Sequence, residues 1–441
     1  MTTSPTALPV ALPELTPTEH DEDRACIAAM AEREARLASL DPVVLDLSIR
    51  EPAVGIARGH TLDDKLALLQ LAREAGFRDI LLATFDVSLP EVPQVDDVFV
   101  ERLRAQGEDL TGTFAFVTIG TLEGERLVPD LSMEKLVRYG IPNAIVDVYL
   151  STGSTPIADR AAFVTRLQRS IEWMRTSMTG DGGGPPRIYI NYVDAPDAFF
   201  EDWEWMARVT KLLGGLPVAA VTFEDGRGTS FPFQVGAMTT LLRRHIGPGQ
   251  HLLAHMHTGA GMENANLIEA LLNGADGIWA GFAREAATIG HAPSSELLAN
   301  LLRIGNTAVA RRFRLERLVP IVQAMTRINT LAPIPEDFPM IGANAYRNML
   351  SFFEQRAGRK MDLPAASIGA APGWRITPVT SDAPVITGRL VEIGVAPAEI
   401  TPAIVTRMRI LMREDMRAGE RIEYDRPENL RALFERARAQ A

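Results

Sequence analysis

Two histidines separated by one residue, His255 and His257 in the run HLLAHMHTG, carry the most readable chemistry of the chain. Alternate side chains of a β-strand share a face, so both imidazoles would point one way at the strand's end. Neutral imidazole is a ligand for transition metals, and two of them make half of a coordination shell. The other half is available far upstream, where the strand-like run VVLDLSIRE closes on Arg50 and Glu51. An isolated H-x-H also occurs on exposed strands with both rings satisfied locally. The surrounding pattern therefore decides.

That pattern is an alternation of short β-rich runs and amphipathic helical runs between about residues 43 and 305. The strand runs are VVLDLSIR, DILLATF, GTFAFVTIG, NAIVDVYLS, RIYINYV, AAVTFED, HLLAHMH and GIWAGF. Helical runs between them include TLDDKLALLQLAREAG, SMEKLVRYG, RAAFVTRLQRSIEWMRTSM, FEDWEWMARVTKLLGG, PFQVGAMTTLLRRHIG, ENANLIEALLNGA and SSELLANLLRIG. Many close on Gly, a common helix stop. The count and spacing predict an α/β fold, a (β/α)8 TIM barrel. A doubly wound open sheet fits less well, because no G-x-G-x-x-G follows the first strand. The chain divides as an N-terminal arm and helix (1–38), the barrel (39–310) and a mainly helical C-terminal extension (311–441). That extension would cover a barrel mouth or form a dimer contact.

A barrel of this kind does its chemistry at the C-terminal ends of its strands. Polar residues collect at those ends: Arg50, Glu51, Thr84, Asp86, Thr118, Ser151, Thr152, Asn191, Asp194, Glu224, Asp225, His255 and His257. Singly, each reads as a cap or turn residue; together they share a face. GDGGGPP at 180–186 reads as a flexible connection, since no lysine or helix start makes it a phosphate loop. The aromatics Phe199, Phe200, Trp203 and Trp205 read as a helix's packing face.

The gross numbers narrow the function classes. Across 441 residues, 46% are apolar and 23% charged, as in an ordinary soluble protein. A formal charge of −11 with no basic cluster argues against nucleic acid. No apolar run reaches bilayer length, and the Pro- and Thr-rich start reads as a flexible arm rather than a secretion signal. The single Cys26 excludes an internal disulfide and a Cys-based zinc site, fitting a cytoplasmic protein.

Five segments resemble the DRE-TIM metallolyases, the superfamily of isopropylmalate and homocitrate synthases, HMG-CoA lyase and 4-hydroxy-2-oxovalerate aldolase. Asp46-Leu-Ser-Ile-Arg50-Glu51 is similar to D-x-T-L-R-D/E, and Asp225-Gly-Arg-Gly228 with Pro232 to D-T-x-G-x-x-x-P. His255 to Asn266 resembles H-x-H-N-D-x-G-x-A-x-A-N, and Gly290-His-Ala-Pro-Ser-Ser-Glu296 resembles G-N-A-x-x-E. Pro339-Met-Ile-Gly342-Ala-Asn344-Ala-Tyr346 resembles the P-x-V-G-x-N-A-F of the synthases. The departures are Thr258 and Gly259 after H-x-H, His291 for a metal-shell Asn, Pro52 after R-E, and Arg347-Asn348 in place of the synthase His-Glu.

The resemblance implies a divalent cation held by Glu51, His255 and His257, with His291 either a fourth ligand or a spectator or proton carrier. Two nitrogens and an oxygen suit Mn, Zn, Co or Fe better than all-oxygen-seeking Mg or Ca, although Mg stays open. The resemblance also gives Arg50 the role of stabilising an enolate. Thr84, Thr118, Thr152 and Glu224 are candidates to bind substrate. Acid–base candidates are His291, Glu224, Glu263, Asp194 and Tyr346. The leading expectation is a Claisen-type synthase joining an acyl-CoA to a 2-oxo acid, as a homodimer without a membrane or nucleic-acid partner. The alternatives are an aldolase or lyase forming a pyruvate-type enolate, and a silent barrel acting as a scaffold.

Overall fold

In the computed structural model, residues 15–89, 92–286, 289–354 and 363–440 are described. Residues 1–14, the start of the expected N-terminal arm and helix, lie outside the described residues.

Each strand run of the sequence forms a parallel strand, and the eight close into a barrel. They are β1 (Val43–Asp46), β2 (Ile80–Thr84), β3 (Thr113–Val117), β4 (Asn143–Tyr149), β5 (Ile188–Val193), β6 (Ala220–Asp225), β7 (His251–Met256) and β8 (Gly277–Ala280). The ring follows chain order, and β8 closes it against β1 from Val43–Gly277 to Asp46–Ala280. Strands covered on both faces need continuous apolar runs, which is what these segments supply. Leu45, Leu81, Phe114, Phe116, Ile145, Tyr189, Ala220, Leu253 and Trp279 fill the barrel's interior.

The period of two carries that inward face toward the C-terminal mouth. Two residues past Ile145, Tyr189 and Leu253 come Asp147, Asn191 and His255, and Glu224 follows Ala220 on the same face. Apolar filling gives way to polar side chains within one layer.

Three local features depart from the expectation. The strand predicted over residues 43–50 stops at Asp46. The Leu47 carbonyl accepts from the amides of Arg50 (3.0 Å) and Glu51 (2.9 Å), and a short helix, Glu51–Gly55, follows with Pro52 in its first turn. A helix Val95–Ala105 joins β2 to β3, burying Phe99, Val100 and Leu103. A helix Leu318–Thr330 packs beside Leu62–Ala75, within the region expected to break the pattern. The outer apolar core continues through this helix to Ile368. A second cluster, from Ile376 to Ala437, is built by Ala383–Glu392, Pro402–Arg417 and Pro427–Arg438. Trp205 is buried and Phe199 and Trp203 partly so, but Phe200 is exposed. The 180–186 loop lies at the opposite end from the mouth, where Asp181 bonds the Gly112 amide and Asn143. Among the described residues no helix is long and apolar enough to cross a membrane.

One buried ion pair ties the mouth to the outer shell. Lys65, fully buried, meets Asp96 at 2.6 Å and donates to the Ile49 carbonyl at 3.3 Å. Asp96 also accepts from the Thr84 amide at 2.8 Å. The pair thus joins the Arg50–Glu51 turn to the end of β2. Removing one member strands the other charge in the core, at a cost of about 3–5 kcal/mol. Lys65→Met should lower the unfolding free energy in a denaturant titration by about that amount; a loss below about 1 kcal/mol would contradict the assignment.

Candidate metal centre at the barrel mouth

β1 and β7 both neighbour β8 in the ring, so residues at their ends meet across one strand. Glu51, His255 and His257 are the three groups brought together there. His255 Nε2 and His257 Nε2 stand 3.0 Å apart. Glu51 Oε1 lies 3.6 Å from the first and 3.4 Å from the second. All three side chains are buried, and one ligand atom from each fits within 4.8 Å of the others.

These separations fit a metal. Ligand atoms held about 2.0–2.2 Å from one ion stand about 3–3.5 Å apart. His255 Nδ1 lies 2.7 Å from the Trp279 carbonyl, so that nitrogen carries the proton and Nε2 turns its lone pair toward the cluster. The carboxylate is ready to bind as well. Burial opposes its charge, but the Arg50 guanidinium beside it outweighs that and holds Glu51 well below the usual carboxylate range.

Arg50 pairs with Glu51 and lies over the Phe116 ring, 4.1 Å from its centroid. Its Nε is buried with no hydrogen-bond partner among the described residues. A guanidinium N–H left unpaired in a low-dielectric site is costly, and an incoming oxygen atom would satisfy it.

His291 stands beside this group but outside it. Its ring lies 5.6 Å from that of His255, and a β-bridge links its backbone to His257. Its Nε2 accepts from the Gly281 amide at 2.6 Å, which leaves the proton on Nδ1. Both nitrogens are then unsuited to ligation, the one engaged and the other protonated. Burial, then His255, pulls the ring down to about 3, so it is neutral near pH 7. The fourth-ligand reading of His291 is not the one this geometry favours.

The remaining candidates separate. Glu224 reaches the mouth, its carboxylate taking an N–H from Asn191 at 2.9 Å. Thr84 is buried at the end of β2 with an unbonded hydroxyl, and the Thr118 amide bonds Ser132. Thr152 is exposed on the rim, its amide bonded to Glu201. Glu263 is held with Glu296 by Arg284. Asp194 caps the helix after β5 at a left-handed φ of 48°. Tyr346 is not brought to the centre: the charge acting on it is Arg303, at the end of helix Ser294–Arg303 remote from the mouth. The preceding Phe338–Met340 segment runs down that helix, Phe338 over Arg284 and Met340 against Asn300.

Two residues gain weight from the structure. Asp46 is fully buried, accepts from the Ser48 hydroxyl at 2.8 Å, and through Ser48 reaches the Phe282 amide at 2.9 Å. This chain fixes the β1 turn to the end of β8. Asp147, an acid inside an otherwise apolar strand run, gave no motif signal; only the barrel's pleat turns it toward the mouth. The Asp225 loop has a supporting role: its carboxylate takes the Gly228 and Ser230 amides at 2.8 Å each. Gly228, at φ +63°, passes so close to the His257 carbonyl that a Cβ would lie 1.9 Å from it.

No family model matches the chain. A curated relative, 4-hydroxy-2-oxovalerate aldolase 2 of Methylibium petroleiphilum, is 27% identical over 183 residues, 40% of this chain and 49% of the relative. The match thus spans about half the length of that relative. An HMG-CoA lyase of Acinetobacter baumannii, solved with coenzyme A and 3-methylmalate, superposes at TM-score 0.51 with 14% identity. It covers 73% of this chain and 97% of its own. The Brucella melitensis HMG-CoA lyase gives 0.50 with 19% identity, covering 67% and 100%. The resemblance to the DRE-TIM metallolyases, read from five segments, is met in sequence by an aldolase and in fold by lyases.

Burial pushes Asp46 up to about 7, with the two Ser48 hydrogen bonds opposing. The folded value exceeds the unfolded one of about 4, so this group's stabilisation is complete below pH 4 and is lost as pH rises through 7. Asp46→Asn cannot ionise and should flatten that loss. Melting curves of the metal-free proteins from pH 5 to 8 check this: parallel pH slopes for variant and parent would contradict it.

Proposed function

We propose that the chain is a divalent-metal-dependent enzyme that breaks a carbon–carbon bond in a 2-oxo acid, leaving a pyruvate-type enolate. The observation that carries this is the Glu51–His255–His257 cluster beside an under-bonded Arg50, which is paired with Glu51. The curated aldolase relative supports the reaction class. A bound cation would act as Lewis acid on the 2-oxo and carboxylate oxygens of the substrate.

The residues supply the rest. Arg50 would donate its free Nε–H to the oxygen that becomes an oxyanion, and Phe116 beneath it excludes water from one face of the guanidinium. Glu51 holds Arg50 in place while lending its other oxygen to the cluster. Thr84, with a free buried hydroxyl, is a candidate to orient a substrate carboxylate. His291, neutral and bonded to Gly281, packs behind the ligand pair.

The synthase reading, first on the sequence, loses ground. It needs a histidine shortly after the P-x-x-G-x-N-A-Y segment; Arg347, which stands there, is bound to Asp425 at 2.7 and 2.9 Å. The scaffold reading is opposed by an intact ligand set with its supporting hydrogen bond to Trp279.

Supplied with 4-hydroxy-2-oxo acids, the metal-loaded protein should release pyruvate, lose turnover on chelation and regain it with Mn or Zn. Thiol release from acetyl-CoA and a 2-oxo acid, with no retro-aldol activity, would instead select the synthase. Arg50→Lys should lower kcat by about 10²-fold or more while metal affinity changes less than about 10-fold. Undiminished turnover in that variant, measured beside metal titration calorimetry, would remove Arg50 from the chemistry.

A further inference from the structure

The metal-cluster residues occupy one side of the mouth, on β7 and after β1, with β8 between them. In an eight-stranded ring the strand opposite β8 is β4. Its inward residue at the level of the cluster is Asp147, and the lumen of so small a barrel is narrow enough for a small substrate to touch both walls. Polar side chains run round the ring from it: Asp147 on β4, Asn191 on β5, Glu224 on β6 and His255 on β7, where Glu224 pairs in register with His255.

Asn191 fixes this row. Its side-chain amide donates to Asp147 Oδ1 and to Glu224 Oε2, each at 2.9 Å, and its carbonyl oxygen accepts from the Thr222 hydroxyl at 3.0 Å. An amide NH2 can only donate, so it bonds either a carboxylate or the carbonyl oxygen of a neutral acid. Among the described residues Asn191 is the one hydrogen-bond partner of the Asp147 side chain. Its second oxygen is left to face the mouth.

We propose that Asp147 is the proton donor of the centre, standing across the mouth from Glu51, His255 and His257 and delivering its proton to the enolate carbon. The inference rests on the carbon–carbon cleavage proposed above. As the bond breaks, the electron pair of the enolate forms a new C–H bond with the proton of the Asp147 carboxyl. The O–H bond breaks, Asp147 becomes a carboxylate, and water from solvent re-protonates it. The proton of the substrate hydroxyl passes to solvent water.

The surroundings suit a stored proton. Burial, then the charges of Glu224 and Asp86, hold the Asp147 carboxyl well above the usual carboxylate range, with Arg50 and the Asn191 hydrogen bond opposing. The titratable and charged groups facing it are Glu224 from β6, Asp86 after β2, Arg50 after β1 and Tyr149 on its own strand. Anions outnumber the single cation, so a neutral acid is the state with the least repulsion. Deprotonation during the reaction places the new charge where Arg50 opposes it.

Two readouts on the full-length protein test this. Infrared difference spectra of the zinc-loaded protein near pH 7, taken in an Asp46→Asn background because Asp46 also holds a proton in that range, should contain the carbonyl stretch of a protonated carboxylic acid. The band should vanish in Asp147→Asn, return in Asp147→Glu, and persist in Glu224→Gln. No such band in that background, or one that survives in Asp147→Asn, overturns the proposal. Exchange of pyruvate methyl protons with D2O should fall about 10²-fold in Asp147→Asn with zinc affinity retained. Unchanged exchange also overturns it. If the parent protein exchanges nothing, the 2-oxo acid reading fails, and the infrared band alone then decides whether Asp147 holds a proton.

Discussion

A carboxylate with only 1% of its side chain exposed cannot keep its charge without compensation, and the mouth of this barrel is organised around that requirement at Glu51. Arg50 offsets the charge from one side. The two imidazoles of β7 face it from the other, with lone pairs rather than protons turned inward on His255. That arrangement is only half satisfied by the protein itself. A cation among the three groups completes it, which is why the same geometry that is awkward as a hydrogen-bond network is well formed as a ligand set.

The support reaches well beyond these three residues. Asp46 and Ser48 pin the β1 turn to β8, and Lys65 with Asp96 pins it to β2. Asp225 and Gly228 set the height of the loop that carries His257. Each contact is a local hydrogen bond or close approach, but together they leave the turn carrying Glu51 little freedom to drift from the histidines. A shift of one ångström there would separate the donor atoms.

The fold was legible because eight buried strands must be apolar on both faces, and such runs stand out between polar helices. Val95–Ala105 is weakly signalled because VDDVFVERLRA carries two acids in its first turn and buries few large side chains. Leu318–Thr330 was hidden by Pro320 inside the run and by its place after the eighth strand. The early end of β1 follows from hydrogen bonds to Leu47 that no periodicity announces. At the site, His255, His257, Arg50 and Glu51 were readable from spacing and from resemblance. Asp147 was not, since one acid in NAIVDVYLS is a strand irregularity until the pleat is known to turn it inward. Tyr346 sits in a segment that resembles a synthase motif, and in the fold that segment runs along the helix Ser294–Arg303, with Phe338 over Arg284 and Met340 against Asn300.

The most direct measurement is an anomalous difference map from crystals soaked in zinc or manganese. One peak about 2.0–2.3 Å from Glu51 Oε1 and from both Nε2 atoms of His255 and His257 is the result this account requires. A map with no peak at that point, or with the metal bound elsewhere and Glu51 still paired only to Arg50, would contradict it.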